Sequence, residues 1–98
     1  MVVEAVVDTG FDGDLSLPRS VIFALDLRWR RRGSATLADG SEVGFNVLEA
    51  AVKWDKHLRQ VPVDEAETTP LVGMAMLSGY HLGLDVRTKG RVEITRLE

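Results

Sequence analysis

Asp39-Gly40 separates two strand-forming stretches and commits the middle of the chain to a β-hairpin. Both central positions of a type I′ turn need positive φ, which Asp and Gly tolerate best. Beyond the turn Val43, Phe45 and Val47 share one face, and Leu48, Ala50, Val52 and Trp54 continue with opposite parity. That change of phase predicts a bulge or sharp twist near Val47-Leu48. Asp55-Lys56 turns the chain again into Leu58, Val61 and Val63, and Asp64 to Thr69 reads as a polar loop.

The flanks are strand-rich as well. Val2, Val3, Val6 and Val7 form a β-branched run that stops at Asp8-Thr9-Gly10. Leu15-Ser16-Leu17 alternates, Pro18 stands at a helix start, and Val21, Ile22 and Leu25 recur at helical spacing. Leu71-Val72-Gly73 is a short apolar strand closed by glycine. Met74, Met76 and Leu77 then begin a short helix that ends at Gly79. Leu82, Leu84 and Val86 alternate, as do Val92 and Ile94 after a turn at Thr88 to Gly90. These patterns predict an all-β chain, one domain over residues 1–98, with a compact barrel-like sheet and one or two short helices.

Composition removes several function classes. The absence of cysteine excludes disulfides, thiolate catalysis and Cys-based zinc sites. A net charge of -3 argues against a general nucleic-acid binder. No apolar run approaches the ~20 residues that span a bilayer, and Glu4 and Asp8 interrupt any secretory h-region. The expectation is a cytoplasmic protein with no nucleic-acid and no membrane partner. At 98 residues the core is limited, and such domains commonly gain stability by oligomerising.

Candidate ligand motifs fail on inspection. Asp8 to Arg19 has the spacing of a calcium loop, but Gly10 and Arg19 occupy two of its ligand positions. His57 and His81 are isolated strand-surface residues, and no serine has a paired base at a recognisable spacing. No metal and no other cofactor is expected. Arg28, Arg30, Arg31 and Arg32 read as a solvated loop face, Met74 and Met76 as core, and Asp14 as a solvated turn residue. Trp29 and Trp54 are candidates for an interface or a substrate groove.

Val6-Val7-Asp8-Thr9-Gly10 puts a carboxylate between a rigid strand and a tight turn whose amides can hold it. The plain alternative is a strand-terminating turn, since Asp, Thr and Gly all favour turns. About sixty residues on, Leu71-Val72-Gly73 repeats two aliphatics and a glycine ahead of a short helix, with the Asp39-Gly40 hairpin between. Asp8-Thr9-Gly10-Phe11-Asp12-Gly13 through Leu17-Pro18, Leu37 to Ser41 and Val72-Gly73-Met74 together resemble the retropepsin-like aspartic peptidases. The likeness covers nearly the whole chain and is greatest to the small, single-domain prokaryotic members.

This resemblance implies a retropepsin-like acid-protease barrel and a homodimer in which each subunit lends one Asp8. Thr9 would hydrogen-bond across the two-fold axis, and the Gly10 amide would support the carboxylate. Asp39, Gly40 and Ser41 would form a flap over an extended peptide or protein substrate, and Gly73 would let the chain pass close to the catalytic loop. Phe11 stands where viral members carry a small residue, so it either fills a specificity subsite or packs in the core. Asp12 matches an acid that binds substrate backbone in those members, although Met74 replaces the arginine that accompanies it there. Only seven residues precede Asp8, where relatives carry a further strand, which implies a shortened first hairpin. The same resemblance leaves a second reading open: a catalytically silent homodimeric peptide-binding or protein-interaction module.

Overall fold

The alternating middle of the chain forms its three longest strands. In the computed structural model, which describes residues 1–98, these are β3 (Arg28–Thr36), β4 (Glu42–Trp54) and β5 (His57–Glu65). Before them come β1 (Val6–Val7), β2 (Leu15–Leu17) and helix α1 (Arg19–Leu25); after them come β6 (Leu71–Val72), helix α2 (Met74–Leu77), β7 (Tyr80–Leu84) and β8 (Val92–Arg96). The chain is all-β in class, with two short helices.

Six strands form one mixed sheet in the order β1-β6-β2-β5-β4-β3, and β7 and β8 form a separate antiparallel pair. The larger sheet is open, with β1 and β3 as its edges, where the sequence predicts a compact barrel-like sheet. β1 and β2 are consecutive in the chain yet do not pair. β6 lies between them, parallel to β1 and antiparallel to β2. On its other side β2 runs parallel to β5.

The first hairpin turn is not of the type the sequence predicts, and the second falls where a turn is predicted. Asp39 does not adopt positive φ; Gly40 alone does, at 88°. Leu37 and Ser41 close the hairpin, with the Gly40 amide donating to the Leu37 carbonyl at 2.9 Å. That is a three-residue loop, a turn followed by a left-handed glycine, rather than a type I′ turn. The type I′ pattern is instead at Asp55 (φ 49°) and Lys56 (φ 69°), between the paired Trp54 and His57.

β4 pairs with β5 without a break from Val47 to Trp54. The irregularity predicted at Val47-Leu48 falls on the neighbouring strand, where Arg30 is the extra residue between Trp29, opposite Leu48, and Arg31, opposite Val47. The change of parity has another cause: Val47 and Leu48 are 0% and 7% exposed, so both faces of β4 are covered at that point.

One face of the sheet packs against α1 through Leu17, Ile22, Leu48, Ala50 and Val63, with Val3, Leu25 and Leu27 around them. Pro18 precedes α1 in extended conformation (φ -74°, ψ 159°) and serves as its N-cap. The helix ends at Asp26 (φ 51°), whose amide donates to the Phe23 carbonyl while that of Leu27 donates to Ile22. This is the paired hydrogen bonding of a left-handed helix stop, achieved without glycine. α2 ends as the sequence predicts, with Gly79 at φ 89°.

Four assignments differ from expectation. The valine run yields a strand of only two residues, Val6 and Val7. The arginine stretch belongs to exposed edge strand β3, not to a loop. Asp64 and Glu65 extend β5 rather than starting a loop. Met76 is in the core, but Met74 is largely exposed. The β7–β8 hairpin is tied to the larger sheet by Trp54 packed edge-on against Tyr80 at 5.9 Å, and by Asp55, which accepts from Tyr80 at 3.1 Å and pairs with Arg96 at 2.7 Å. No helix is long and apolar enough to cross a membrane.

Candidate active site

Strand pairing aligns one residue from each strand of the large sheet into a single row: Val6, Leu71, Ser16, Asp64, Val47 and Arg31. Paired residues share a face, and residues two apart on a strand do too. Asp8, two beyond Val6, therefore projects on the same face as Asp64. This is the side opposite α1.

Asp8 sits where pairing between β1 and β6 ends, its amide donating to the Val72 carbonyl at 2.9 Å. The chain then turns, the Phe11 amide reaching back to the Asp8 carbonyl at 3.1 Å and the Gly10 amide donating to Asp8 Oδ1 at 2.9 Å. The carboxylate is half-buried and is held in one orientation by its own loop.

The second glycine-containing segment fixes that loop from behind. Gly73, Met74 and Ala75 donate their amides to the carbonyls of Asp14, Phe11 and Gly13 at 2.9, 2.8 and 3.1 Å. A β-carbon on Gly73 would lie 2.7 Å from the Phe11 carbonyl oxygen and would strike the Gly13 carbonyl, so only glycine fits. Asp14 is not a solvated turn residue. Its side chain is 17% exposed and faces Arg59, whose guanidinium also donates to the last carbonyls of α2, Met76 at 2.9 Å and Ala75 at 3.3 Å.

Above Asp8 lies a cleft of about 320 Å³. Asp8, Gly10 and Phe11 line it from the loop, Ser16 and Asp64 from the sheet, and Phe45 from the arm of the β3–β4 hairpin. The Phe11 ring lies close over Gly13 and Gly73, and the residue also lines the cleft. Thr9 and Asp12 are exposed and lie outside the lining. Asp39, Gly40 and Ser41 are at the exposed hairpin tip, also outside it. There Asp39 Oδ1 accepts from the Ser41 hydroxyl at 2.6 Å and the Ser41 amide at 2.9 Å, and these bonds lower its pKa below the ordinary Asp value. Neither Trp29 nor Trp54 reaches the cleft; Trp29 donates to Asn46, and Trp54 packs on Tyr80.

Asp64 and Ser16 are the residues that sequence reasoning passes over. Burial pushes the Asp64 carboxyl above the ordinary Asp range; Arg31 opposes that shift and Asp14 adds to it. The signal was present in the alternation: Val61 and Val63 face the core, so Asp64 must face the other side. Glu65 is occupied by Arg19 at 3.3 Å and Asn46 at 3.1 Å. No three His, Asp or Glu side chains converge as metal ligands. No protein-family model, no curated protein and no solved structure matches the chain.

Proposed function

We propose that this chain is a retropepsin-like aspartic endopeptidase that acts as a homodimer on a peptide or protein substrate. The observation that carries the reading is Asp8: a carboxylate at a strand end, oriented by the Gly10 amide, in a cleft whose loop is clamped by Gly73 to Ala75. One chain supplies one such group. Peptide hydrolysis by this route needs two, which a two-fold axis through the loop provides.

The edge of the sheet beside Asp8 suits that arrangement. β1 is an edge strand, and Val6, Val86 and Val92 are 55%, 96% and 52% exposed along a shared groove of about 740 Å³. Burying those side chains against a second copy contributes hydrophobic free energy that a single copy forgoes.

Two carboxylates about 3 Å apart cannot both ionise, so the pair holds one proton and titrates in two steps. The ionised Asp8 takes a proton from a water lying between them. The water oxygen bonds to the scissile carbonyl carbon as its C=O π bond opens, and the protonated Asp8 gives its proton to the carbonyl oxygen, leaving a neutral diol. Collapse of the resulting diol breaks the C–N bond, and a carboxyl proton passes to the departing amine. The products are one carboxylic acid and one amine, and no covalent enzyme intermediate forms. Phe45, on the hairpin arm, and Phe11 give the reacting atoms an apolar wall.

Asp8→Asn tests this directly. The amide keeps the size of the side chain but cannot accept the water's proton. Cleavage of an unstructured protein substrate is expected to fall at least about a thousandfold, with the sedimentation coefficient and thermal unfolding unchanged. Cleavage by the variant at the wild-type rate, or a wild-type protein that sediments as a monomer while active, overturns the reading. Peptide binding by a wild-type dimer without cleavage identifies the silent binding module instead.

A further inference from the structure

Asp64 is a charged group with too little compensation. It lines the cleft on the same face as Asp8, has no hydrogen-bond donor within the chain, and makes no ion pair, Arg31 included. Beside it in the row is Ser16, 3% exposed, whose hydroxyl also lines the cleft and has no hydrogen-bond partner in the chain. Ser16 is almost wholly enclosed and Asp64 half-buried. A serine so enclosed is normally satisfied; left open toward the cleft beside an unpaired carboxylate, it points to a ligand that completes both.

The surroundings narrow the chemistry of that ligand. Phe11, Phe45 and Leu71 give the cleft apolar walls, while the unpaired Asp64 carboxylate is an acceptor and the Ser16 hydroxyl can accept as well as donate. Lysine and arginine match both features, with a long apolar stem to lie along the walls and a cationic head to meet the acids. An acidic side chain would be repelled by Asp8 and Asp64 together. A purely aliphatic one would leave both Asp64 and Ser16 unsatisfied, which costs more than the extra contact returns.

We infer that Asp64 and Ser16 form a specificity subsite that takes a lysine or arginine side chain of the substrate next to the scissile bond. The inference rests on the proposed peptidase reading for the scissile bond, but not for the subsite itself. Asp64 accepts a charge-assisted hydrogen bond from the cationic head, and the Ser16 oxygen accepts a second.

Short labelled peptides that differ at one position, Lys, norleucine or Glu, separate the two ideas. Their binding is measured on Asp8→Asn protein, and their cleavage on wild type. Lys is expected to bind at least about tenfold tighter than norleucine, with Glu weakest. Adding Asp64→Asn should erase the preference for Lys, by weakening the Lys peptide and relieving the penalty on norleucine; adding Ser16→Ala should reduce the preference by a few fold. Equal binding of Lys and norleucine peptides, or a preference that survives Asp64→Asn, overturns the subsite even if peptides are cleaved. A preference for Lys that Asp64→Asn abolishes, with no cleavage by wild type, upholds the subsite and overturns the peptidase reading. Failure to bind any of the three peptides overturns the subsite as well.

Discussion

Leu17 and Ser16 are neighbours on β2, 1% and 3% exposed, and they belong to opposite faces of the sheet. Leu17 packs with Ile22, Leu48 and Val63 beneath α1 in an apolar cluster. Ser16 shares its face with Asp8, Asp64 and the clamped loop. Equal burial therefore has unequal meaning. On the α1 face it is the source of stability, whereas on the cleft face it leaves polar groups waiting for a partner. On the cleft face the catalytic loop is ordered by backbone hydrogen bonds to Gly73 to Ala75 together with the Phe11 ring that lies over Gly13 and Gly73.

The largest expected effect lies on the α1 face. Leu17→Ala should lose about 2–5 kcal/mol in urea unfolding, and Ser16→Ala less than about 1 kcal/mol because its hydroxyl has no internal partner to lose. Similar losses for both would end the distinction between the faces. Next is Gly73→Ala, where the new methyl meets backbone that cannot yield without moving the loop. A cost of about 1–3 kcal/mol is expected, with cleavage reduced far more than that loss of stability explains. Unchanged cleavage would show that the clamp does not position Asp8.

The smallest effect has the opposite sign. Because burial raises the Asp64 pKa, the folded state binds its proton more readily than the unfolded chain. The cost of charging it is complete above the raised value and absent below the ordinary carboxylate range. Asp64→Asn should therefore be slightly more stable than wild type at neutral pH, by well under about 1 kcal/mol given solvent screening of a half-exposed group. That advantage should vanish as pH falls into the carboxylate range. Thermal melts across pH check it, and a variant less stable than wild type at neutral pH would show that Asp64 serves the fold.

What the sequence discloses is local, and what it conceals depends on pairing between distant strands. Gly79, α1, the Asp8 turn and the Leu71–Val72 strand are each set by a few adjacent residues, and each is where the pattern puts it. The turn types were harder to read, because closure between Leu37 and Ser41 lengthens the first loop and leaves Asp39 out of the left-handed region. Asp14 looked solvated because its partner, Arg59, is far along the chain. Asp64 was hidden for a similar reason: its place beside Ser16 exists only when β2 and β5 run in parallel.

The ends of the large sheet differ in a way that bears on assembly. Arg28, Arg30, Arg31 and Arg32 line β3 at one end, while β1 at the other carries two valines and no charge. Repulsion among guanidinium groups discourages a second β3 from docking on the first. Pairing of like edges therefore favours β1, where no charge opposes it, over β3.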